Sequence, residues 1–219
     1  MASFFNLTLD TLAPSGLSLL INGGAQYSTT NEVSLSISVN DEFKNGYQMK
    51  IWGIKGAETE SAATWETYSE TKSVELITGD GLKTVYIKVR DDVYNETSAV
   101  SASITLNTAV PSVTISGPDV NRISKVEPKN VAIFSFISDV DFVEFKVKVV
   151  PSTVSLQDAG TQIPSENGSI NMSGTGTYKS GEAIQCKIYG GDLESASSGD
   201  GSKIIKVFVK NAAGTWSVA

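Results

Sequence analysis

The side chains that most often perform chemistry are scarce in this sequence. Its 219 residues include no histidine and a single cysteine, Cys186. Without histidine, the chain lacks the usual general base near neutral pH and the commonest ligand of transition metals. One cysteine cannot form an internal disulfide or a zinc site, and the residues around it alternate between apolar and polar types. We therefore predict that Cys186 is a small hydrophobic residue on a strand, and that the chain holds no metal and no cofactor.

Carboxylates are concentrated in two short stretches, residues 91–96 and residues 139–144. Oxygen-rich turns can bind calcium, but the first stretch lacks the alternating spacing and the glycine of a known calcium loop. No two carboxylates stand in a recognisable glycosidase arrangement. We interpret the first stretch as a hairpin turn with solvated acids and the second as an extended segment with Asp139 and Asp141 on one face and no metal bound. We predict no catalytic residues and no enzyme activity.

Aromatic side chains are the remaining candidates for binding. Trp65 and Tyr68 lie in a loop-like stretch. An exposed aromatic pair there could stack on a sugar ring or fill a partner's pocket, and the alternative is local packing. Trp52 ends a predicted strand, and we expect it to pack between the sheets of a sandwich. Trp65 and Tyr68 are thus the predicted surface ligand contacts.

Alternating patterns point to the elements that must position these side chains. Residues 33–39, 85–89 and 142–150 alternate between apolar and polar types over most of their lengths, which is typical of half-buried strands. The best helix candidate, residues 57–67, has the composition of a loop. Turn signals, among them the glycines of residues 190–192, separate the strands. This pattern predicts an all-β sandwich fold.

The sequence also repeats itself. Residues 79–89, GDGLKTVYIKV, match residues 199–209, GDGSKIIKVFV. Residues 7–14, LTLDTLAP, match residues 104–111, ITLNTAVP, and each looks like a last strand followed by a linker. We therefore predict two tandem immunoglobulin-like β-sandwiches. The predicted parts are an N-terminal strand or arm at 1–11, a first domain at 12–108 and a second domain at 109–219.

The first predicted domain resembles the Ig-like repeats of bacterial surface proteins and of tailed-phage virion proteins. The matching pieces agree in order and spacing over residues 12–108, and they are residues 20–27, 63–68, 78–91 and 104–108. The second domain matches well only over residues 199–217. The resemblance implies the fold and, for function, a choice among spacers, decorations and adhesins.

Charge and the N-terminal sequence narrow the expected setting. The net charge is −7 with scattered basic residues, so nucleic acid is not an expected partner. No basic residue precedes Lys44, and no apolar stretch of about 18 residues occurs, so neither a secretion signal nor a membrane span is predicted. We expect a phage virion protein assembled in the host cytoplasm. It would be a capsid decoration, collar or tail-surface component.

The partners expected for such a protein are other virion proteins or copies of itself, with a host cell-surface glycan as a further candidate. Two alternatives stay open. One is a carbohydrate-binding adhesin module of a bacterial surface protein, and the other is a plain spacer in such a protein. Both alternatives would lie on the bacterial cell surface.

The ends of the two predicted domains differ. The first domain supplies a final strand near residues 100–106, whereas only residues 215–219 follow the equivalent turn of the second. Residues 3–9 look like a last strand with no domain before them. We hypothesise that residues 3–10 complete the second domain of another copy by strand addition. The alternatives are that they pair within the first domain, or that the edge of the second domain is merely short. The predicted subunit contacts are Phe4, Phe5, Leu7 and Leu9.

Overall fold

The computed structural model describes residues 5–41, 43–151, 153 and 157–218. The chain divides into two units, Met1–Thr108 and Ala109–Ala219, which we call unit one and unit two. Each unit consists of two sheets around its own apolar core. The predicted fold class, two tandem immunoglobulin-like β-sandwiches, is confirmed. Within the described ranges, no helix has the length and apolar character needed to cross a membrane.

Within the residues that the structure describes, unit one is formed by eight strands. They are β1 (Ser18–Ile21), β2 (Tyr27–Ser28), β3 (Glu32–Ser38), β4 (Gln48–Trp52), β5 (Glu66–Thr67), β6 (Thr71–Glu75), β7 (Gly81–Arg90) and β8 (Val100–Leu106). One sheet has the order β1-β3-β6, and the other has the order β2-β8-β7-β4-β5. The last strand, β8, pairs antiparallel with β7 and parallel with β2. It therefore lies inside its sheet, with a neighbour on each edge.

The alternating pattern of β3 shows how the sequence builds this core. Successive side chains of a strand point to opposite faces, so the apolar residues of residues 33–39 share one face. Val33, Leu35 and Ile37 are buried on that face, and the serines between them are exposed. Burying each such side chain stabilises the unit by roughly 1.5–3 kcal/mol. The strands predicted at residues 33–39 and 85–89 are confirmed.

Unit two is formed by seven strands and one helix within the described residues. They are β9 (Val113–Ser116), β10 (Val131–Ser138), β11 (Phe142–Val150), β12 (Thr161–Gln162), β13 (Ser173–Tyr178), β14 (Ile184–Tyr189), α1 (Gly190–Ala196) and β15 (Ile204–Lys210). One sheet has the order β14-β10-β9. In the other sheet β11 is central, with β15 on one edge and with β12 and β13 on the opposite edge. The strand predicted at residues 142–150 is confirmed as β11.

Helix α1 corrects one prediction. The glycines of residues 190–192 predict a turn, but these residues form the first turn of the helix. A Cβ at Gly190 would lie 1.9 Å from the carbonyl oxygen of Ser124, so only glycine permits this approach. Asp192 is fully buried and accepts hydrogen bonds from the backbone N–H groups of Asn167 and Ser169, at 2.8 and 2.9 Å. These contacts between distant segments outweigh the local turn signal.

Candidate functional site

An exposed apolar segment precedes the first strand of unit one. We call residues 5–12 the arm. Phe5 is 85% exposed, Leu7 and Leu9 are 86% exposed, and Leu12 is 79% exposed. No arm residue lies in a strand, and a hydrogen bond from the Asn95 side chain to the Asp10 carbonyl, 3.4 Å long, joins the arm to the sandwich of unit one. Thus three of the predicted subunit contacts project into solvent. The fourth, Phe4, lies outside the described residues.

One edge of β15 has no partner strand among the residues that the structure describes. The other edge pairs with β11 along the whole length of β15. On the open side, the Ser217 N–H donates to the Val209 carbonyl at 2.8 Å, and the Val209 N–H donates to Ser217 Oγ at 3.1 Å. Backbone polar groups alternate between the two edges of a strand, so those of Ile205 and Val207 point to the same open edge. Such groups form a template for one more strand.

A groove of about 860 Å³ lies beside this open edge. We call it the β15 groove. Its lining is about half apolar, with Ile115, Ile123, Phe134 and Ile205 among the apolar residues and Arg122, Asp200 and Lys203 among the charged ones. Ile115 is opposite Phe136 in the β9–β10 register, and it therefore faces the core, yet it is 42% exposed. The groove is an opening of the unit-two core at the side where the sheet ends.

The two units close their long strands in the same way. In unit one, Thr97 donates its N–H to the Val89 carbonyl at 2.9 Å and accepts the Val89 N–H at Oγ1 at 3.1 Å. Ser217 and Val209, each 120 positions later, make the equivalent two bonds in unit two. Unit one then continues into β8. No described strand of unit two occupies the position that β8 occupies in unit one.

The predicted aromatic pair, Trp65 and Tyr68, does not form a single stacking surface. Tyr68 packs against the core of unit one, and its hydroxyl donates to the Ile37 carbonyl at 3.3 Å. Burial raises the pKa of the Tyr68 hydroxyl. Trp65 is half-buried and lies under the guanidinium of Arg90, 4.3 Å from its Cζ to the ring centroid. Because strand alternation separates the two rings, Tyr68 is a core contact and Trp65 belongs to a different cluster.

That cluster is centred on Arg90 at the outer face of β7. The Arg90 Cζ lies 4.3 Å from the ring centroids of both Trp65 and Tyr94. Gln48 Oε1 accepts hydrogen bonds from Arg90 Nε and Nη2, at 2.8 and 2.6 Å, which fixes the plane of the guanidinium. Tyr94 is 63% exposed. The sequence analysis missed Arg90 and Tyr94, and the available signal was the outward position of Arg90 at the end of an alternating strand. An exposed ring held in this way can stack on a flat apolar face such as a sugar ring.

Trp52 contradicts the expectation that it packs between the sheets. It is opposite Tyr86 in the β4–β7 register, and the two rings stack with centroids 5.5 Å apart and planes 7° apart. The preceding pair, Ile51 and Ile87, faces the core. Since consecutive side chains face opposite sides, Trp52 must lie on the outer face of the sheet. The prediction is therefore wrong.

The first carboxylate stretch closes a turn. Asp91 is buried and accepts hydrogen bonds from the backbone N–H groups of Val93 and Asn95, at 3.0 and 2.8 Å. The prediction of solvated acids is wrong for this residue, although the prediction of a turn is confirmed. Asn211 of unit two accepts the Thr215 N–H at 2.9 Å in the same manner. Because an amide performs this task as well as a carboxylate does, the role of Asp91 is structural.

The second carboxylate stretch also anchors backbone. The Ser112 N–H donates to Asp139 at 2.8 Å, and this bond holds the pKa of Asp139 below its usual range. The ammonium group of Lys179 and the N–H of Ser180 do the same for the pKa of Asp141, at 2.7 and 2.9 Å. Within the described ranges, no group of three or more His, Cys, Asp or Glu side chains could hold a metal ion.

Cys186 lies on β14 and is fully buried. Burial raises the pKa of its thiol to about 12. At neutral pH the group is therefore a protonated thiol, and the thiolate is the reactive form. The prediction of a small hydrophobic residue on a strand is confirmed.

No protein-family model and no curated protein matches the chain. Among solved structures, the chain is similar to fibronectin(III)-like modules of CbhA from Clostridium thermocellum, with 9% identity, a TM-score of 0.44 and coverage of 91% of this chain and 89% of that one. It is also similar to a structure of carbohydrate-binding modules from the β-sandwich superfamily, with 11% identity, a TM-score of 0.36 and coverage of 95% and 99%. Chitinase ChiA74 from Bacillus thuringiensis matches with 14% identity and a TM-score of 0.32, over 92% of this chain and 30% of that chain. Likenesses this weak carry no argument about function.

Proposed function

We propose that this chain is a non-enzymatic structural protein of a bacteriophage particle. It would be a capsid decoration, collar or tail-surface component that binds other virion proteins or copies of itself. The observation that carries the proposal is the open edge of β15 beside a groove whose lining is partly apolar. An unpaired edge next to exposed apolar surface promotes association, because a strand from a partner protein can pair with it and extend the sheet.

Two further features support the phage setting. Residues 12–108 resemble the Ig-like repeats that occur in virion proteins and in bacterial surface proteins. Both units build their cores without a disulfide, since the single cysteine is buried in β14. Such a fold is compatible with assembly in a reducing cytoplasm. The acidic net charge of −7 also supports a protein partner over nucleic acid or an anionic membrane surface.

The test is to locate the protein. Antibodies raised against the chain would be applied to phage particles purified from lysates of the source culture, with gold labelling in the electron microscope and mass spectrometry of the same particles. The expected result is regular labelling of particles and peptides of the chain in stoichiometric amount. Absence from purified particles, together with labelling of intact cells, would overturn the proposal in favour of a bacterial surface module.

A second candidate function is contact with a host-surface glycan, and the exposed ring of Tyr94 beside Arg90 favours it. A glycan array probed with the whole chain would test it. Tyr94→Ala should abolish any binding, whereas Phe43→Ala should not, because Phe43 is an exposed aromatic residue of unit one outside the Arg90 cluster. Equal loss in both variants, or no binding at all, would reject this function.

A further inference from the structure

We propose that the partner of the open β15 edge is the arm of a second copy of this chain, which enters unit two as a further strand beside β15. This inference rests on the proposed function, because it names the partner that completes the sheet. Three observations on different parts of the molecule support it: the sequence of the arm, the register between β7 and β8, and the residues that line the β15 groove.

The sequence of the arm repeats the end of β8. Leu7 corresponds to Ile104 and Leu9 corresponds to Leu106 in the match between LTLDTLAP and ITLNTAVP. In β8 the two residues are each 1% exposed, because the strand covers the core of unit one. The arm thus carries the side chains of a last strand, but within the described structure these side chains are exposed.

The register of unit one predicts how the arm would pair. Val85 of β7 lies opposite the third residue of β8. The arm precedes β8 by 97 positions, and β15 follows β7 by 120 positions, as the two sequence repeats show. Transferring the register places Phe5 opposite Ile205 and Leu7 opposite Lys203. Both Ile205 and Lys203 line the β15 groove.

The chemistry of the groove fits this strand. Phe5, Leu7 and Leu9 alternate along the arm, so all three would point into the groove when the arm is extended. They would cover Ile115, which faces the core but is 42% exposed. The outward-pointing backbone groups of Ile205 would gain ladder hydrogen bonds. A partly apolar groove and an open backbone edge therefore match a segment that has exposed apolar side chains and lies in no strand.

Such a contact joins the arm of one copy to unit two of the next. The two surfaces differ, so the interface is heterologous, and repetition gives either a closed ring or a filament. Either product would join several copies of the chain through one repeated contact, as the proposed role on a virion surface needs.

The first test measures association by size-exclusion chromatography with light scattering over a range of concentrations. The chain should form concentration-dependent oligomers, and Phe5→Asp/Leu7→Asp/Leu9→Asp should weaken association at least tenfold. The matched control is Leu12→Asp, which changes an equally exposed leucine that corresponds to Ala109, beyond the end of β8. It should associate as the unchanged chain does.

Two outcomes would overturn the inference. A chain that stays monomeric at every concentration would show that the arm of a second copy does not fill the edge. Oligomers that survive the three aspartates would show that association uses another surface. Neither outcome affects the labelling of particles, so failure of the inference is distinguishable from failure of the proposed function.

The second test traps the predicted register. In Phe5→Cys/Ile205→Cys the two thiols would lie opposite each other, and oxidation should give a ladder of covalent multimers on a non-reducing gel. Asn6→Cys/Ile205→Cys is the control, because the side chain of residue 6 points to the other face, and it should give no ladder. Cys186 should stay unreacted, since it is fully buried. A cross-linked monomer would mean that the arm returns to its own unit two, and would overturn exchange between copies.

Discussion

Units one and two build the same long strand and then diverge. In unit one, β7 has a neighbour on each edge, and its core-facing residue Val85 is fully buried. In unit two, the first half of β15 pairs with β11 on one edge, and no described strand pairs with it on the other edge. Ile205, the counterpart of Val85, is half-buried. The turn that follows is alike in both units. The difference shows that the repeat has kept the strand and its turn, while the strand that covers them belongs to unit one alone in the described structure.

The first strands of the two units show the consequence for the core. Ile21 of β1 is 2% exposed, whereas Ile115 of β9 also faces inward and is 42% exposed. Both isoleucines pair with a core residue of the next strand, Leu35 and Phe136 respectively. Pairing within one sheet is therefore not enough to bury such an isoleucine. In unit one, the last strand of the opposite sheet also shields it from solvent.

The largest expected gain in stability comes from giving unit two a last strand in the same chain. Residues 2–11 would be removed, and the sequence of residues 3–9 would be added directly after Ala219, where the 120-position repeat places the start of β8. Burial of one phenylalanine and two leucines should stabilise unit two by about 3 kcal/mol after the cost of ordering the segment. In calorimetry, the unfolding temperature of unit two should be roughly 10 °C higher than in a chain that lacks residues 2–11 and has no added segment.

A matched control carries the same added segment with serine in place of its three apolar residues. It keeps the added backbone but not the side chains that fill the groove. If both chains melt at the same temperature, the groove does not accept the strand, and the comparison between units loses its explanation.

The next effect compares the two isoleucines. Ile21→Ala should cost about 2–5 kcal/mol, the range for a fully buried aliphatic side chain. Ile115→Ala should cost less than about 1 kcal/mol in the monomer, because the side chain is already partly hydrated. Urea unfolding followed by circular dichroism measures both free energies of unfolding. In the chain with the added strand, the cost of Ile115→Ala should approach that of Ile21→Ala, and equal costs without the strand would contradict an open core.

Asp192 gives unit two a dependence on pH. Burial acts to raise the pKa of Asp192, but hydrogen bonds from Ser169 and Asn167 outweigh it, so the pKa lies below its ordinary value. A carboxyl with a lowered folded-state pKa stabilises the fold above its unfolded-state pKa of about 3.9, and this contribution is lost as the pH falls through the folded-state value. Unit two should therefore lose stability in acid below about pH 4.

The variant Asp192→Asn tests this assignment. It should cost about 1–3 kcal/mol at neutral pH, since one oxygen acceptor replaces two, and it should flatten the loss of stability in acid. Urea unfolding at pH 7 and pH 3 measures both effects. Glu194→Gln on the same helix is the control and should change neither. An unchanged acid response in Asp192→Asn would assign the pH dependence to other carboxyls, such as Asp139 and Asp141.

Local pattern predicted much of this fold, because strand alternation and the tandem repeats are visible in any window of the sequence. Alternation tells which residues share a face, and it leaves open which face meets the core when both carry apolar residues. This is why Met49 and Ile51 lie inside while Trp52, equally apolar, lies outside. Helix α1 was missed because its start depends on contacts of Gly190 and Asp192 with distant segments.

The candidate site also has parts that the sequence predicts and parts that depend on contacts between distant segments. The exposed arm and the unmatched end of the second repeat follow from the sequence, since both depend on comparing two stretches of the chain. The β15 groove does not, because its lining comes from β9, β10, α1 and the loops near them. The cluster of Trp65, Arg90 and Tyr94 was not predicted for a similar reason, because it brings together the end of one strand and residues from two loops.

The smallest expected effect concerns the cations at the ends of β7 and β15. Arg90 lies 4.3 Å from the Trp65 centroid, and Lys210, 120 positions later, lies 5.6 Å from the Trp216 centroid. Arg90→Lys should cost about 1 kcal/mol, because lysine keeps the charge but loses the planar stack and the paired bonds to Gln48. Lys210→Arg should change stability by less than about 0.5 kcal/mol, since the ammonium contact has no such geometry to lose. Urea unfolding measures both values, with tryptophan emission as a local readout. If Arg90→Lys changed the free energy of unfolding as little as Lys210→Arg does, the guanidinium would not be what holds the Arg90 cluster together. The ring of Tyr94 would then be positioned for a ligand by the surrounding residues alone.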